Sequence, residues 1–202
     1  MRWIVSLVAL LPVIAMADRL VDIPLGRKLL RGSARIRAGA IVGDRSSGEI
    51  RVGTGVLDSY EVDIELSRYG DASWRSTFDL SYNLAPPITD IAPGLSLGIL
   101  DVLDKSDGRR AGYLAFTQRF GNYGEQNQNT STEVTLGFWT RSSGLLFVGA
   151  SLPVWDRLVI LAEGSGENIL AGFEARPFPG FSLRWLAERP GQRLQATLQV
   201  RF

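Results

Sequence analysis

Apolar and polar residues alternate with period two along most of the chain. The most regular example is LQATLQVRF at residues 194–202, in which every second residue is apolar. The same pattern occurs at 34–40, 49–56, 61–67 and 74–84. Further, less regular runs bring the number to about twelve, and Gly, Pro, Asp, Asn or Ser residues separate them. Helical periodicity is nearly absent, so the sequence predicts an all-β fold.

The composition of the polar face indicates where that face points. Lysine is nearly missing after residue 28, whereas arginine and acidic residues are frequent. A soluble sandwich or lipocalin-like barrel would also alternate, but its polar face is typically rich in Lys, Glu and Thr. Guanidinium groups pair bidentately with carboxylates where water is limited. We therefore expect the polar face to line an enclosed interior and the apolar face to contact lipid.

The length of the runs agrees with a membrane location. Runs of about 9 to 11 residues match strands that cross a bilayer at a tilt. Each unpaired backbone group in hydrocarbon costs several kcal/mol, so spanning strands must close on themselves. The sequence therefore predicts a closed antiparallel transmembrane β-barrel of about 12 strands, within a range of about 10 to 14. Closure requires the strand near residue 34 to pair with the C-terminal strand.

The N-terminus has the features of an export signal. A short basic start and an apolar run precede Ala15, Met16 and Ala17, which have the small-x-small form that signal peptidase cleaves. The apolar run is shorter than a membrane-spanning helix, although an uncleaved anchor is the alternative. The predicted organisation is a cleaved signal peptide over residues 1–17, a periplasmic lead-in or plug over 18–30, and one barrel domain over 31–202.

Charged residues in the polar phase are predicted to line the lumen. They are Arg35, Arg37, Arg51, Glu61, Asp63, Glu65, Arg75, Arg141, Glu163, Glu174 and Arg184. The near balance of charges indicates a cross-braced, narrow or closed interior, and an accessory barrel is then favoured slightly over a channel. The alternative is a small channel in which uncompensated arginines favour anionic solutes such as acidic oligosaccharides.

Aromatic residues fall near the ends of the predicted strands. Such residues form girdles at the two membrane interfaces of transmembrane barrels. The predicted girdle residues are Tyr60, Trp74, Phe120, Trp155 and Phe181.

The residue inventory bears on catalysis and on binding partners. The chain has no Cys and no His, which excludes thiol catalysis and His-based triads. A carboxylate-only enzyme site at Glu61, Asp63, Glu65 and Asp101 stays open, but structural pairing with neighbouring arginines is favoured. We expect a protein that is not an enzyme and that holds neither metal nor cofactor. Its net charge of +1 argues against nucleic acid as a partner.

The last strand resembles the assembly signal of bacterial outer-membrane barrels. The resemblance rests on Leu194, Leu198, Val200 and the terminal Phe202. It implies a bacterial outer-membrane location, contact with outer-membrane lipid, recognition by the barrel-assembly machinery, and termini on the periplasmic side. Counted back from Phe202, the long connectors at 85–94 and 121–131 then also fall on the periplasmic side, where such barrels usually have short turns.

Several passages are similar to the YjbH-like barrel proteins linked to exopolysaccharide production. The passages are Pro24-Leu25-Gly26, GVLDSYEVDIEL at 55–66, APGLSLGILDVLD at 92–104, YLAFTQRFG at 113–121 and LVILAEGSGENILAGFEARP at 158–177. This resemblance implies an accessory envelope role with polysaccharide or export components as partners, and it implies no catalytic mechanism.

Overall fold

The strands of the chain close into a single barrel. The computed structural model describes residues 20–26, 29–44, 46–105, 110–121, 131–140, 145–166, 168–189 and 191–202. In this part of the chain there are twelve strands: β1 Ser33–Ile41, β2 Gly48–Leu57, β3 Tyr60–Arg68, β4 Arg75–Ala85, β5 Gly94–Leu100, β6 Ala111–Phe120, β7 Thr132–Trp139, β8 Leu146–Trp155, β9 Leu158–Gly164, β10 Ile169–Phe178, β11 Phe181–Glu188 and β12 Gln192–Arg201. Each strand pairs antiparallel with its neighbours in sequence, and β1 pairs with β12. The predicted closed antiparallel β-barrel is confirmed.

The closing pair joins the two ends of the chain. Ala34 lies opposite Val200 and Ala40 lies opposite Leu194. Beyond the last pair, the backbone N–H of Phe202 donates to the carbonyl oxygen of Gly32 at 2.8 Å. The C-terminal strand thus has a partner on both edges, so the chain can end on a strand without leaving an open edge.

The two faces of the wall follow the period-two pattern of the sequence. Outward residues of β12 are apolar and exposed, with Leu194 at 50%, Leu198 at 46% and Val200 at 39% of their maximum. Inward residues of the same strand, such as Gln195 and Thr197, are buried. An apolar outer band around a partly polar interior is the arrangement of transmembrane barrels rather than of soluble ones. Among the described residues, no helix is long and apolar enough to cross a membrane.

The connectors differ between the two ends of the barrel. At the end where β1 begins and β12 ends, here called the terminal end, the connectors are 58–59, 86–93, 121–131, 156–157 and 179–180. At the far end they are 42–47, 69–74, 101–110, 140–145, 165–168 and 189–191. The two long connectors noted in the sequence therefore do lie at the terminal end.

The residues predicted to form the aromatic girdle lie mostly at one end. Tyr60, Phe120, Trp155 and Phe181 are at strand ends facing the terminal end, whereas Trp74 precedes β4 at the far end. Tyr60 packs against Tyr82, with ring centroids 4.7 Å apart, and Phe181 stacks on Phe178 at 4.9 Å. Four of the five predicted girdle residues therefore lie at the terminal end.

Candidate functional site

The lumen has a charged wall and an apolar wall. The charged wall is formed by the inward residues of β1 to β4 and β9 to β12, and it overlaps the apolar wall on β9 to β11. The apolar wall extends from β5 to β11, and its buried residues are Leu100, Ala111, Tyr113, Ala115, Trp139, Phe147, Val159, Leu161, Leu170 and Leu186. The enclosed polar interior expected from the sequence is thus only part of the lumen, because the inner face from β5 to β11 also carries apolar residues.

The apolar wall is covered by residues 20–26 and 29–30, here called the N-terminal segment. Leu20, Val21, Ile23 and Leu25 belong to the same buried cluster as the wall residues. Ile23 is fully buried. The side chains of Ile23 and Leu20 occupy the space that a Cβ on Gly149 of β8 would need. The segment is therefore packed inside the barrel, and burial of its apolar side chains stabilises that position.

Side chains of the wall also bind the backbone of the N-terminal segment. Glu163 accepts the backbone N–H groups of Val21 at 3.0 Å and of Asp22 at 3.1 Å. Arg37 donates from Nη1 to the carbonyl oxygen of Val21 at 2.8 Å. Arg184 donates to the carbonyl oxygen of Leu20. The charged wall thus satisfies backbone groups that would otherwise be buried without partners.

Similar contacts continue toward the terminal end. Ser96 Oγ donates to the carbonyl oxygen of Leu25 at 2.6 Å, and the N–H of Gly26 donates to Thr117 Oγ1 at 2.7 Å. The N–H of Leu29 donates to Glu61 Oε2 at 3.3 Å. A Cβ on Gly26 would overlap the carbonyl group of Gly94, so glycine at both positions permits the close approach. The segment therefore runs from the terminal end across the lumen, as its partners on β3, β5 and β6 show.

Ion pairs brace the charged wall. Arg35 donates from Nη2 to Glu61 at 2.9 Å and to Asp63 at 3.0 Å. Arg51 pairs with Glu65. Because all five side chains are at least mostly buried, the pairs join β1 and β2 to β3 in a site where water is limited.

A second group of ion pairs lies on β10 to β12. Glu174 binds both Arg176, at 2.5 Å, and Arg184. Arg193 binds Glu188 at 2.6 Å and also Asp22 of the N-terminal segment at 3.0 Å. The segment is therefore tied to the charged wall through one of its own side chains as well as through its backbone.

Nine of the residues predicted to line the lumen are buried or half-buried on the inner face: Arg35, Arg37, Arg51, Glu61, Asp63, Glu65, Glu163, Glu174 and Arg184. Arg75 is exposed at the far end, because it is the first residue of β4. Arg141 lies outside the described residues. The sequence did not indicate that Ser96 and Thr117 bind the N-terminal segment, although both lie in the inward phase of their strands.

The proposed carboxylate site is not one cluster. Glu61 and Asp63 share Arg35, and Glu65 faces Arg51. Asp101 lies at the end of β5, where its backbone N–H donates to Asp79 at 2.8 Å. The arrangement is that of structural ion pairing. Among the described residues, no group of three or more acidic, His or Cys side chains could hold a metal ion.

Comparison with known proteins gives a structural likeness only. No protein-family model matches the chain, and no curated protein sequence matches it. The resemblance to YjbH-like proteins therefore gains no support. The fold is that of an outer-membrane β-barrel. It is similar to the crystal structure of the Acinetobacter baumannii outer membrane protein Omp33, with a TM-score of 0.54 and 10% sequence identity over 86% of this chain and 99% of that one.

Proposed function

We propose that this protein is a small-solute channel of the bacterial outer membrane, closed by its own N-terminal segment. The apolar outer face would contact outer-membrane lipid, and the barrel-assembly machinery would recognise β12. The observation that carries the proposal is the position of the N-terminal segment. It lies in the lumen but forms no strand of the wall, and side chains of the wall bind its backbone in place of a strand ladder.

The way in which the N-terminal segment is bound supports a removable closure. A barrel that holds no separate segment can fill its lumen with side chains of its own wall, as small barrels do. Here the apolar wall instead presents glycine at Gly149 and Gly94, which leaves space for a separate segment. The segment joins the barrel through Gly32, whose φ of +71° lies in the left-handed region that glycine adopts readily. Release would need rotation only near this residue.

The wall that release would uncover carries both signs of charge, so we expect passage of small polar solutes rather than strict selectivity. Conductance in planar bilayers tests the proposal with the full mature chain and a variant lacking residues 18–30. We expect rare, brief openings for the full chain and long, stepwise conductance for the shortened variant. Heat-modifiable gel migration of both proteins shows that they are folded. A shortened variant that is folded and silent would contradict the channel.

An accessory role in exopolysaccharide export rests only on the sequence resemblance and stays a prediction. It is tested by crosslinking in the envelope together with measurement of secreted polysaccharide in a deletion strain. The absence of enzymatic activity is likewise a prediction. Neutral substitution of Glu61, Asp63 and Glu65 together should then affect stability without removing any hydrolytic activity of the purified protein.

A further inference from the structure

Three neighbouring residues on the charged wall have donors without partners. Arg37 on β1 lies opposite Thr197 on β12, which in turn lies opposite Ser182 on β11. All three face the lumen and are buried, at 2%, 5% and 1% exposure. Nε and Nη2 of Arg37, Oγ1 of Thr197 and Oγ of Ser182 have no hydrogen-bond partner among the described residues. Buried polar groups are normally paired, so a cluster of this kind is unusual.

The free atoms of Arg37 have the geometry of a two-point donor. Nη1 is already engaged by the carbonyl oxygen of Val21. Nε and Nη2 lie on one edge of the guanidinium group, and that edge can bind two oxygens of one carboxylate or phosphoryl group side by side. Directly opposed residues in a sheet have Cβ atoms about 4.5 to 5.5 Å apart, so Thr197 is the direct neighbour of both Arg37 and Ser182.

The charges around Arg37, Thr197 and Ser182, here called the donor row, favour binding of an anion. The neighbouring arginines have carboxylate partners: Arg51 binds Glu65 and Arg184 binds Glu174. Arg37 forms no ion pair with a carboxylate in the described part of the chain, and Glu49 and Asp22 attract its buried charge only from beyond ion-pair distance. A buried charge without a partner is strongly unfavourable. The unpartnered acceptor nearby, Oε1 of Gln195, lies one inward position away on β12 and does not belong to the donor row.

We propose that Arg37, Ser182 and Thr197 form a binding site for the oxyanion group of a small solute, a carboxylate or a phosphoryl group. The Nε–Nη2 edge of Arg37 holds two oxygens of the group, and the two hydroxyls donate to the same group. The site lies between the charged wall and the N-terminal segment, because Val21 occupies the third donor of Arg37. This site does not depend on channel activity, since binding requires access to the lumen and not passage through it.

Equilibrium binding to the folded full-length protein in detergent tests the site. Isothermal titration with sodium acetate, with inorganic phosphate and with chloride at constant ionic strength compares the two oxyanion types and a spherical anion. We expect saturable binding of one acetate or phosphate ion per chain and much weaker binding of chloride. Chloride binding as tight as that of both oxyanions would overturn the two-oxygen geometry, and no saturable binding of any oxyanion would overturn the site.

Variants separate the row from general charge effects. Arg37→Gln should weaken oxyanion binding at least tenfold, and Arg37→Lys should weaken it nearly as much because a single ammonium group lacks the two-donor edge. The double variant Ser182→Ala with Thr197→Val should weaken it severalfold. Arg119→Gln, which removes the same charge from a pair with Glu133 at 2.8 Å on the other side of the barrel, is the matched control. Unchanged affinity in both folded Arg37 variants would refute the proposal.

The channel proposal and the oxyanion-site proposal can be rejected independently of each other. A protein that is silent in bilayers but binds acetate or phosphate through Arg37 would reject the channel and retain the site. A protein that conducts in bilayers but whose oxyanion affinity is unaffected by Arg37→Gln and Arg37→Lys would retain the channel and reject the site.

Discussion

Truncation of Ile23 should release the N-terminal segment from the lumen. Ile23 is fully buried in the cluster that joins the segment to the apolar wall. Replacing a buried Ile with Ala typically costs about 2 to 5 kcal/mol, because the transfer free energy is lost and a cavity remains. That cost falls on the state with the segment inside the barrel, since in the released state the side chain is already in water.

The free energy that favours the segment inside the barrel is similar in size to the cost of replacing Ile23 with Ala. Five apolar side chains, those of Leu20, Val21, Ile23, Leu25 and Leu29, are at most 4% exposed, and each contributes about 2 kcal/mol. Seven backbone groups of the segment have wall side chains as partners, at about 1 kcal/mol each. Ordering the nine described residues costs about 1.5 kcal/mol each. The difference favours the inserted state by about 3 kcal/mol, which corresponds to roughly a hundredfold population ratio.

Because the chain has no cysteine, a single introduced thiol can report release. Ala115 on β6 is fully buried, and lies between Ser96 and Thr117, which both bind the segment. In an Ala115→Cys background, Ile23→Ala should raise the rate of labelling by a small thiol reagent about 20- to 100-fold, because the rate follows the released population.

Two further variants calibrate the labelling experiment. Ile23→Val, which costs about 0.5 to 1.5 kcal/mol, should raise the rate only about 2- to 10-fold. Ile36→Ala removes the same atoms from a residue that is 50% exposed on the outer face, and it should leave the rate unchanged. If Ile23→Ala labels no faster than its parent while migrating as a folded barrel, the segment is not held by its apolar contacts and the reasoning is refuted.

Three other predictions concern assembly, stability and orientation. Deletion of Phe202 should lower the folded fraction recovered in outer membranes far more than Gln199→Ala on the inner face of the same strand; equal recovery of the two would reject the assembly role. Arg35→Gln removes the guanidinium group shared by two buried carboxylates and should destabilise the barrel by about 3 to 5 kcal/mol in denaturant titration; an unchanged midpoint would contradict this. With the terminal end of the barrel in the periplasm, an impermeant thiol reagent should label Lys105→Cys in intact cells and Asp156→Cys only after permeabilisation, and the reverse result would invert the topology.

The strands were predictable because the two environments of a transmembrane wall impose opposite demands at every second residue. The run at 61–67 falls inside β3, Tyr60–Arg68, and the run at 74–84 nearly coincides with β4, Arg75–Ala85. The pairing of β1 with β12 followed from the cost of an open edge in lipid rather than from any local signal.

The apolar wall was harder to predict because strands with apolar residues on both faces occur in two kinds of structure. The runs at 145–154 and 157–163 have apolar residues on both faces, and such runs are also typical of a strand buried between two layers. In a barrel the inner apolar residues, such as Phe147 and Leu161, need an apolar partner inside the lumen. The sequence VDIPL at 21–25, outside the strands, supplies that partner. The two features together would have indicated the position of the N-terminal segment.

The partners of the charged residues were not predictable from neighbouring strands alone. Arg35 and Asp63 are on β1 and β3, and Gly53 of β2 lies between them in register. A Cβ on Gly53 would lie 3.2 Å from Arg35 Nη2, so the missing side chain is what lets the guanidinium group cross a strand. Gly149 leaves space for Ile23 in the same way. An inward glycine in a barrel strand therefore indicates that another residue occupies the space of its side chain, and the sequence alone leaves open which residue that is.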